Sequence, residues 1–376
     1  MITQGSEPRW REYVMAKGPL FTDFWSERVH LASRILWILG QGFDPRMCLG
    51  LETVAAIADA PLIDVIGLTF DEGSTSPSWK QTDAITANRE RLQRAVRSPG
   101  IFSERQIRML SEDGRRIGSK SAASTFASVD ELRPYSDVVL DINALPRGLY
   151  FPLIAKLLHL RDAAHDGEAV WNFHVVLAED AATERRIRDE GVLERADYVF
   201  PFHGGMGLES TAGNPRLWIP VLGDGQAVQL ERVHDLVHPD EVCPVIPFPA
   251  ANARRGDDLI LEYREFLFDR LRVEPRNIVH AAEGNPFQVY RQIRSTIQRY
   301  REALRPLGDC KTVLSAMTSK LLSVGPLLVA YELRADKVDV AIAHTEVQGY
   351  VLESSTDPTA DAPELVELWL AGACHE

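Results

Sequence analysis

Two segments constrain this chain most: Arg34-Ile-Leu-Trp-Ile-Leu-Gly-Gln-Gly-Phe-Asp-Pro-Arg46 and Lys311-Thr-Val-Leu-Ser-Ala-Met-Thr-Ser-Lys320. Each is a short apolar run that ends in small and polar residues where a helical pattern begins. A strand that feeds straight into a helix is half of a parallel crossover, because a parallel neighbour can be reached only by a long connection. The alternation continues around both segments. Strands are expected at 35–39, 63–70, 106–110, 137–142 and 170–178, with helices at 48–58, 83–96, 119–132 and 149–159. It restarts with strands at 217–222, 242–248, 277–281, 312–315 and 338–343, separated by helices at 226–236, 257–271, 286–304 and 320–332. Short strands alternating with longer helical stretches predict a parallel sheet.

The expected fold class is therefore α/β, with two tandem Rossmann-like, doubly wound parallel-sheet units. A chain of 376 residues is too long for one hydrophobic core, and two domains is the natural division. Residues 1–195 form the first, with a leading helical arm that carries Trp10, Phe21, Phe24 and Trp25. Residues 196–216 read as a Gly-rich linker loop around His203-Gly-Gly-Met-Gly207. Residues 217–352 form the second domain, and 353–376 a polar tail with a short helix at 364–371.

The formal net charge of −13 argues against wrapping duplex nucleic acid, whose phosphates need a basic footprint. Four scattered cysteines with no C-x-x-C pair fit reduced thiols rather than a disulfide framework or a zinc site. No signal-like N-terminus and no membrane-length apolar run is present, so the expected location is cytoplasmic, away from the membrane.

In an open parallel sheet, ligands bind outside the C-terminal ends of the strands. In the first unit that rule selects Gly40, Gly42, Asp44 and Arg46 after one strand, and Asp141 and Arg147 after another. Glycines let a backbone approach a ligand, and a helix N-terminus offers N–H groups to an anion. The same residues equally suit a tight capped turn and an internal Asp–Arg pair. In the second unit the rule selects Gly223, Asp224 and Gly225, then Glu283 and Asn285, then Ser315, Thr318, Ser319 and Lys320. Hydroxyls and a lysine at a helix start suit a phosphate, although Thr318 and Ser319 also suit plain N-capping. His234 and His238 have i, i+4 spacing, but no Glu accompanies them and no metal site is expected. His174 reads as a core or edge histidine, and Arg185–Arg188 as a solvated helix face. No nucleophile elbow and no P-loop is present, so the sequence assigns neither a catalytic residue nor a cofactor.

The second unit resembles the CARF-type Rossmann domains, which sense cyclic oligoadenylate in CRISPR-linked defence. The resemblance rests on Thr312–Ser315 running through Thr318-Ser-Lys320 into the apolar Leu321–Glu332, and spans roughly residues 217–345. It implies a nucleotide-sensing homodimer, or a regulatory subunit for a partner protein from the same operon, with Thr318, Ser319 and Lys320 in the ligand floor. Met317 and Thr318 stand where such domains carry a Gly pair. The first unit resembles class I methyltransferases at the Gly40–Gly42 turn and at Asp71-Glu72. That implies an alternative function as an S-adenosylmethionine-dependent enzyme or a nucleotide hydrolase at the first crevice. A ligand-free scaffold for a partner protein is the third reading.

Overall fold

The computed structural model describes residues 7–57, 61–71, 76, 80–96, 99–164, 171–208, 213–353 and 362–375. Glu72, His165 and residues 354–361 of the tail lie outside them. The chain divides into two compact units, Glu12–Gly191 with Val347–Glu376, and Val192–Glu346 with Met1–Arg11. Both are α/β and Rossmann-like.

The first unit runs β1 (Val14–Lys17), α1 (Pro19–Leu31), β2 (Arg34–Gly40), α2 (Leu49–Ala55), β3 (Leu62–Asp71), α3 (Thr82–Ala95), β4 (Phe102–Arg108), α4 (Gly118–Ala123), β5 (Asp137–Asp141), α5 (Arg147–Asp162), β6 (Asn172–Glu179), α6 (Ala181–Arg186) and β7 (Ile187–Val192). It is completed from the far end of the chain by β15 (Val347–Leu352) and β16 (Glu364–Ala371). The sheet order is β1-β16-β6-β5-β2-β3-β4. From β6 to β4 every pairing is parallel, while β16 is antiparallel to both β6 and β1. The central strands β2, β5 and β6 are buried along almost their whole length because both faces are covered, and the polar residues within them, such as Asp137, Asp141 and His174, are buried as well. Trp37, Val65, Val139 and Val176 meet Trp25 of α1 and Leu51 and Val54 of α2 in one core.

The second unit contains β8 (Asp197–His203), β9 (Arg216–Val221), α7 (Ala227–Val237), β10 (Glu241–Val242), β11 (Val245–Pro247), α8 (Arg255–Glu262), β12 (Val279–Ala281), α9 (Pro286–Leu304), β13 (Lys311–Ala316), α10 (Lys320–Ala335) and β14 (Val340–His344). Its order is β12-β11-β9-β13-β14-β8, with only β8 antiparallel and β10 a side branch on β9. With the side branch β10 set apart, the five parallel strands of each unit, counted along the chain, have the same spatial order, third-second-first-fourth-fifth. Trp218, Val313, Leu230, Val233 and Leu259 anchor the second core.

Several expectations are corrected. The tail segment 364–371 is strand β16, not a helix. Its apolar residues alternate only loosely because it is sandwiched between β1 and β6, and Glu367 is fully buried there. Long-range pairing overrode a local helical reading. The supposed linker loop 196–216 contains β8, the antiparallel edge of the second sheet. The leading arm is a strand followed by a helix, not a helix alone. Arg185–Arg188 spans the end of α6 and the start of β7, which pairs with β15. The strand expected at 242–248 is split into β10 and β11 around Cys243-Pro244, since Pro cannot donate to a ladder.

Candidate functional site

In each sheet the chain runs outward from its first parallel strand, then returns to the other side of that strand. The reversal leaves a crevice at the C-terminal ends, between β2 and β5 in one unit and between β9 and β13 in the other. The two rims differ in what already occupies them.

At the first rim the protein's own groups fill the turn. A Cβ on Gly40 would lie 2.6 Å from Leu145 Cδ2 and 3.0 Å from the Ala144 carbonyl oxygen, and one on Gly42 3.4 Å from Ala144 Cβ. These glycines admit the 144–145 loop. Asn88 of α3 donates through Nδ2 to the carbonyls of Gly42 and Asp44, each at 3.0 Å, and pins the loop from above. Asp44 accepts from the Arg46 backbone N–H at 2.9 Å and holds the guanidinium through Nε at 3.0 Å and Nη2 at 2.7 Å. Arg46 also donates to the Ala178 carbonyl at 3.2 Å and meets Glu184 at 2.9 Å. Burial pulls against its charge, but Asp44 and Glu184 outweigh that and raise its pKa. Asp141 is buried and accepts through Oδ1 from the Asn143 backbone N–H and side chain at 3.0 and 2.9 Å. Arg147 opens α5. The first set is thus gathered at one rim, with Asp44, Arg46 and Asp141 engaged in the turn-and-ion-pair role.

At the second rim the turns are joined by close packing and by an ion pair across separate strand ends. Gly223 packs so closely that a Cβ would lie 2.5 Å from the Met317 carbonyl oxygen and 2.8 Å from Thr318 Cα. This contact brings the 223–225 turn against the start of α10. Gly225, at φ +70°, would meet nothing within 4 Å. Tyr263 donates its hydroxyl to the Gly223 carbonyl and accepts from the Gln226 N–H at 3.0 Å, and burial pushes its pKa up. Glu262 accepts from the Gly225 N–H at 2.7 Å. Arg255, the first residue of α8, pairs with Asp224 and reaches Glu283 at 3.2 Å. Glu283 in turn accepts from the Ala251 N–H at 3.1 Å. Gly223, Asp224, Gly225, Glu283 and Thr318 are therefore linked, with Asn285, Ser319 and Lys320 adjoining in sequence. Phe248, directly after β11, is 60 % exposed, and its ring meets that of His280 edge-on at 5.9 Å.

Three of these residues have structural duties. Asn285 caps α9 by accepting from the N–H groups of Phe287 and Gln288 at 3.0 and 3.1 Å. Ser319 caps α10, accepting from the Leu322 N–H at 3.3 Å. Ser315 is fully buried and accepts from Trp218 Nε1 at 2.9 Å, so it belongs to the core. Sequence reasoning missed Arg255, Glu262, Tyr263 and Phe248. Arg255, Glu262 and Tyr263 lie in or directly after α8 and Phe248 directly after β11, and only the sheet order brings these segments to the rim. A Phe placed directly before Pro at a strand end was the one available signal.

His174 has no access to either rim. It is fully buried between Asp137 and Glu367. His234 meets its neighbour Asp235 at 3.1 Å, and His238 is the left-handed cap of α7. Among the described residues no group of three or more His, Cys, Asp or Glu side chains is placed to hold a metal ion, and no helix is long and apolar enough to cross a membrane.

No protein-family model matches the chain, and no curated protein matches it. Among solved structures it is similar to a universal stress protein from Pseudomonas aeruginosa, at 12% identity over 84% of this chain and 94% of that one, with a TM-score of 0.23. So loose a superposition bears on neither fold nor function.

Proposed function

We propose that the rim between β9 and β13 binds a nucleotide-like small molecule and that the protein acts as a sensor or regulatory subunit. The observation that carries this reading is the contact of Gly223 with Met317 and Thr318, which joins a glycine turn to the start of α10 at the switch point of the sheet. The chemistry of the rim favours a nucleotide over a bare anion. Asp224, Glu262 and Glu283 outnumber Arg255 and Lys320, so a simple phosphate meets more negative than positive charge. Carboxylates accept from ribose hydroxyls, while Lys320 and the α10 N-terminus suit a phosphate. The exposed ring of Phe248 offers a face on which a base stacks. A defence or signalling role, and action as a homodimer or with a partner from the same operon, extend the CARF resemblance of this unit.

The enzyme alternative at the first rim has less support, since Arg46 and Asp44 are buried and paired with each other. The test is a thermal-shift and calorimetric comparison of mononucleotides, cyclic oligoadenylates, nicotinamide dinucleotides and S-adenosylmethionine. A ligand of this rim should lose about tenfold in affinity, roughly 1.4 kcal/mol, in Lys320→Ala without loss of folding. Unchanged affinity in that variant defeats the assignment.

A further inference from the structure

The glycine turn between β9 and α7 has the sequence of a phosphate cradle, but its donors are already used. Such a cradle works through backbone N–H groups that face the anion at a helix start, with no negative charge beside them. Here the Gly225 N–H donates to Glu262 Oε1 at 2.7 Å, and the Gln226 N–H donates to the Tyr263 hydroxyl at 3.0 Å. Tyr263 in turn donates to the Gly223 carbonyl, so one hydroxyl ties both ends of the turn. Two successive turn donors are thus answered by two successive residues at the end of α8, and the first of these brings a carboxylate.

Space is not what is missing, because a Cβ on Gly225 would meet nothing within 4 Å. The obstacle is charge. From Gly223 to Gln229 the chain has no lysine, no arginine and no hydroxyl residue. Asp224 stands in the same turn with its side chain 58 % exposed, and its cation, Arg255, is shared with Glu283. The start of α10 has the opposite character, with Thr318, Ser319 and Lys320 in a row. The contact of Gly223 with Met317 and Thr318 sets these two unlike turns against each other. A phosphate held on the α10 side therefore has the carboxylates of Asp224 and Glu262 across that contact, and a second phosphate joined to the first meets like charge there.

We propose, resting on the reading that this rim binds a nucleotide, that it selects nucleoside monophosphates and rejects the corresponding triphosphates, with Glu262 as the residue that sets the preference. The ribose hydroxyls are donors, and they take the place beside the carboxylates that a phosphate chain cannot.

The experiment is calorimetric titration of the full-length protein with the mono- and triphosphates of adenosine, guanosine and uridine. It is run at fixed ionic strength with EDTA, so that no divalent cation masks the phosphate charge. For the base that binds, the monophosphate should bind at least about tenfold more tightly than the triphosphate. Glu262→Gln keeps an acceptor for the Gly225 N–H but removes the charge, and should cut that ratio at least about threefold. Glu262→Ala also uncovers the N–H and should cut it further. A triphosphate bound as tightly as the monophosphate, with affinity still dependent on Lys320, overturns this inference and leaves the nucleotide reading standing. So does a monophosphate preference that both Glu262 variants leave untouched. Absence of binding by every nucleotide, or binding indifferent to Lys320→Ala, defeats the nucleotide reading and this inference together.

Discussion

His174 Nδ1 and Glu367 Oε1 lie 2.7 Å apart, fully buried, and join β6 to the strand that arrives from the C-terminal end of the chain. On its other side His174 Nε2 meets Asp137 Oδ1 at 3.1 Å, and Arg28 meets the same oxygen at 2.7 Å. Trp25 donates to Glu367 at 3.2 Å, and the Trp369 ring stacks on the imidazole at 5.3 Å. A polar chain thus crosses β5, β6 and β16 inside an aromatic cage. It fixes the register of a strand that sequence distance alone would leave free.

This arrangement makes stability depend on pH. Burial favours neutral His174, but the charges of Glu367 and Asp137 outweigh it and raise the pKa above 6.5. The folded state then holds the proton more tightly than the unfolded chain does. The stabilisation is complete below about pH 6.5 and is lost as pH rises through the folded value. Asp137 acts in the opposite sense: burial raises its pKa, but His174 and Arg28 lower it further than that, so its contribution is lost on acidification below about 3.8. Tm measured from pH 5 to 9 should fall on the alkaline side in the wild type. His174→Gln should cost about 3–5 kcal/mol at pH 6, because Glu367 loses its cation while Asp137 keeps Arg28, and the alkaline fall that remains should be that of Glu367, whose pKa burial raises.

Arg46→Met should destabilise the first unit by about 3–5 kcal/mol in urea unfolding, since Asp44 is left buried without its cation. Were Arg46 a ligand-binding group instead, the variant would retain stability and lose a ligand-induced Tm shift.

Gly223→Ala and Gly225→Ala should separate packing from backbone strain at the second rim. The Gly223 Cβ collides with the Met317–Thr318 backbone, which predicts a loss of about 1–3 kcal/mol and displacement of the α10 start. Gly225 has open space but φ +70°, so only the left-handed strain of about 1 kcal/mol is expected. Equal losses in the two variants would contradict this packing.

Native thiols should be inert. Burial pushes Cys48 and Cys374 up to about 12 and raises Cys243 and Cys310 as well. The thiolate is the nucleophile, so a disulfide reagent at pH 7.5 should release colour from the four cysteines only after denaturant is added. A thiol that reacts rapidly in native protein would show an opening of the fold at that position.

The local grammar was legible without any tertiary information. Pro286 at the first turn of α9 with Asn285 before it, the apolar run of β2, and the Ser319 cap of α10 each specify their element through contacts within a few residues. The same locality identified which turns end the strands at both rims, because a glycine or capping residue acts where it stands. What fills those turns was decided only by the fold. Leu145 closes on Gly40, Met317 on Gly223, and Arg255 bridges Asp224 and Glu283 across separate strand ends. Glu364–Ala371 shows the same division. Its composition allows helix or strand, and it became a strand because β1 and β6 offered it two unpaired edges and His174 offered Glu367 a buried partner. Periodicity and capping are written in neighbouring residues, whereas strand order and the occupancy of a crevice depend on side chains far apart in the sequence, which meet only after the sheet has formed.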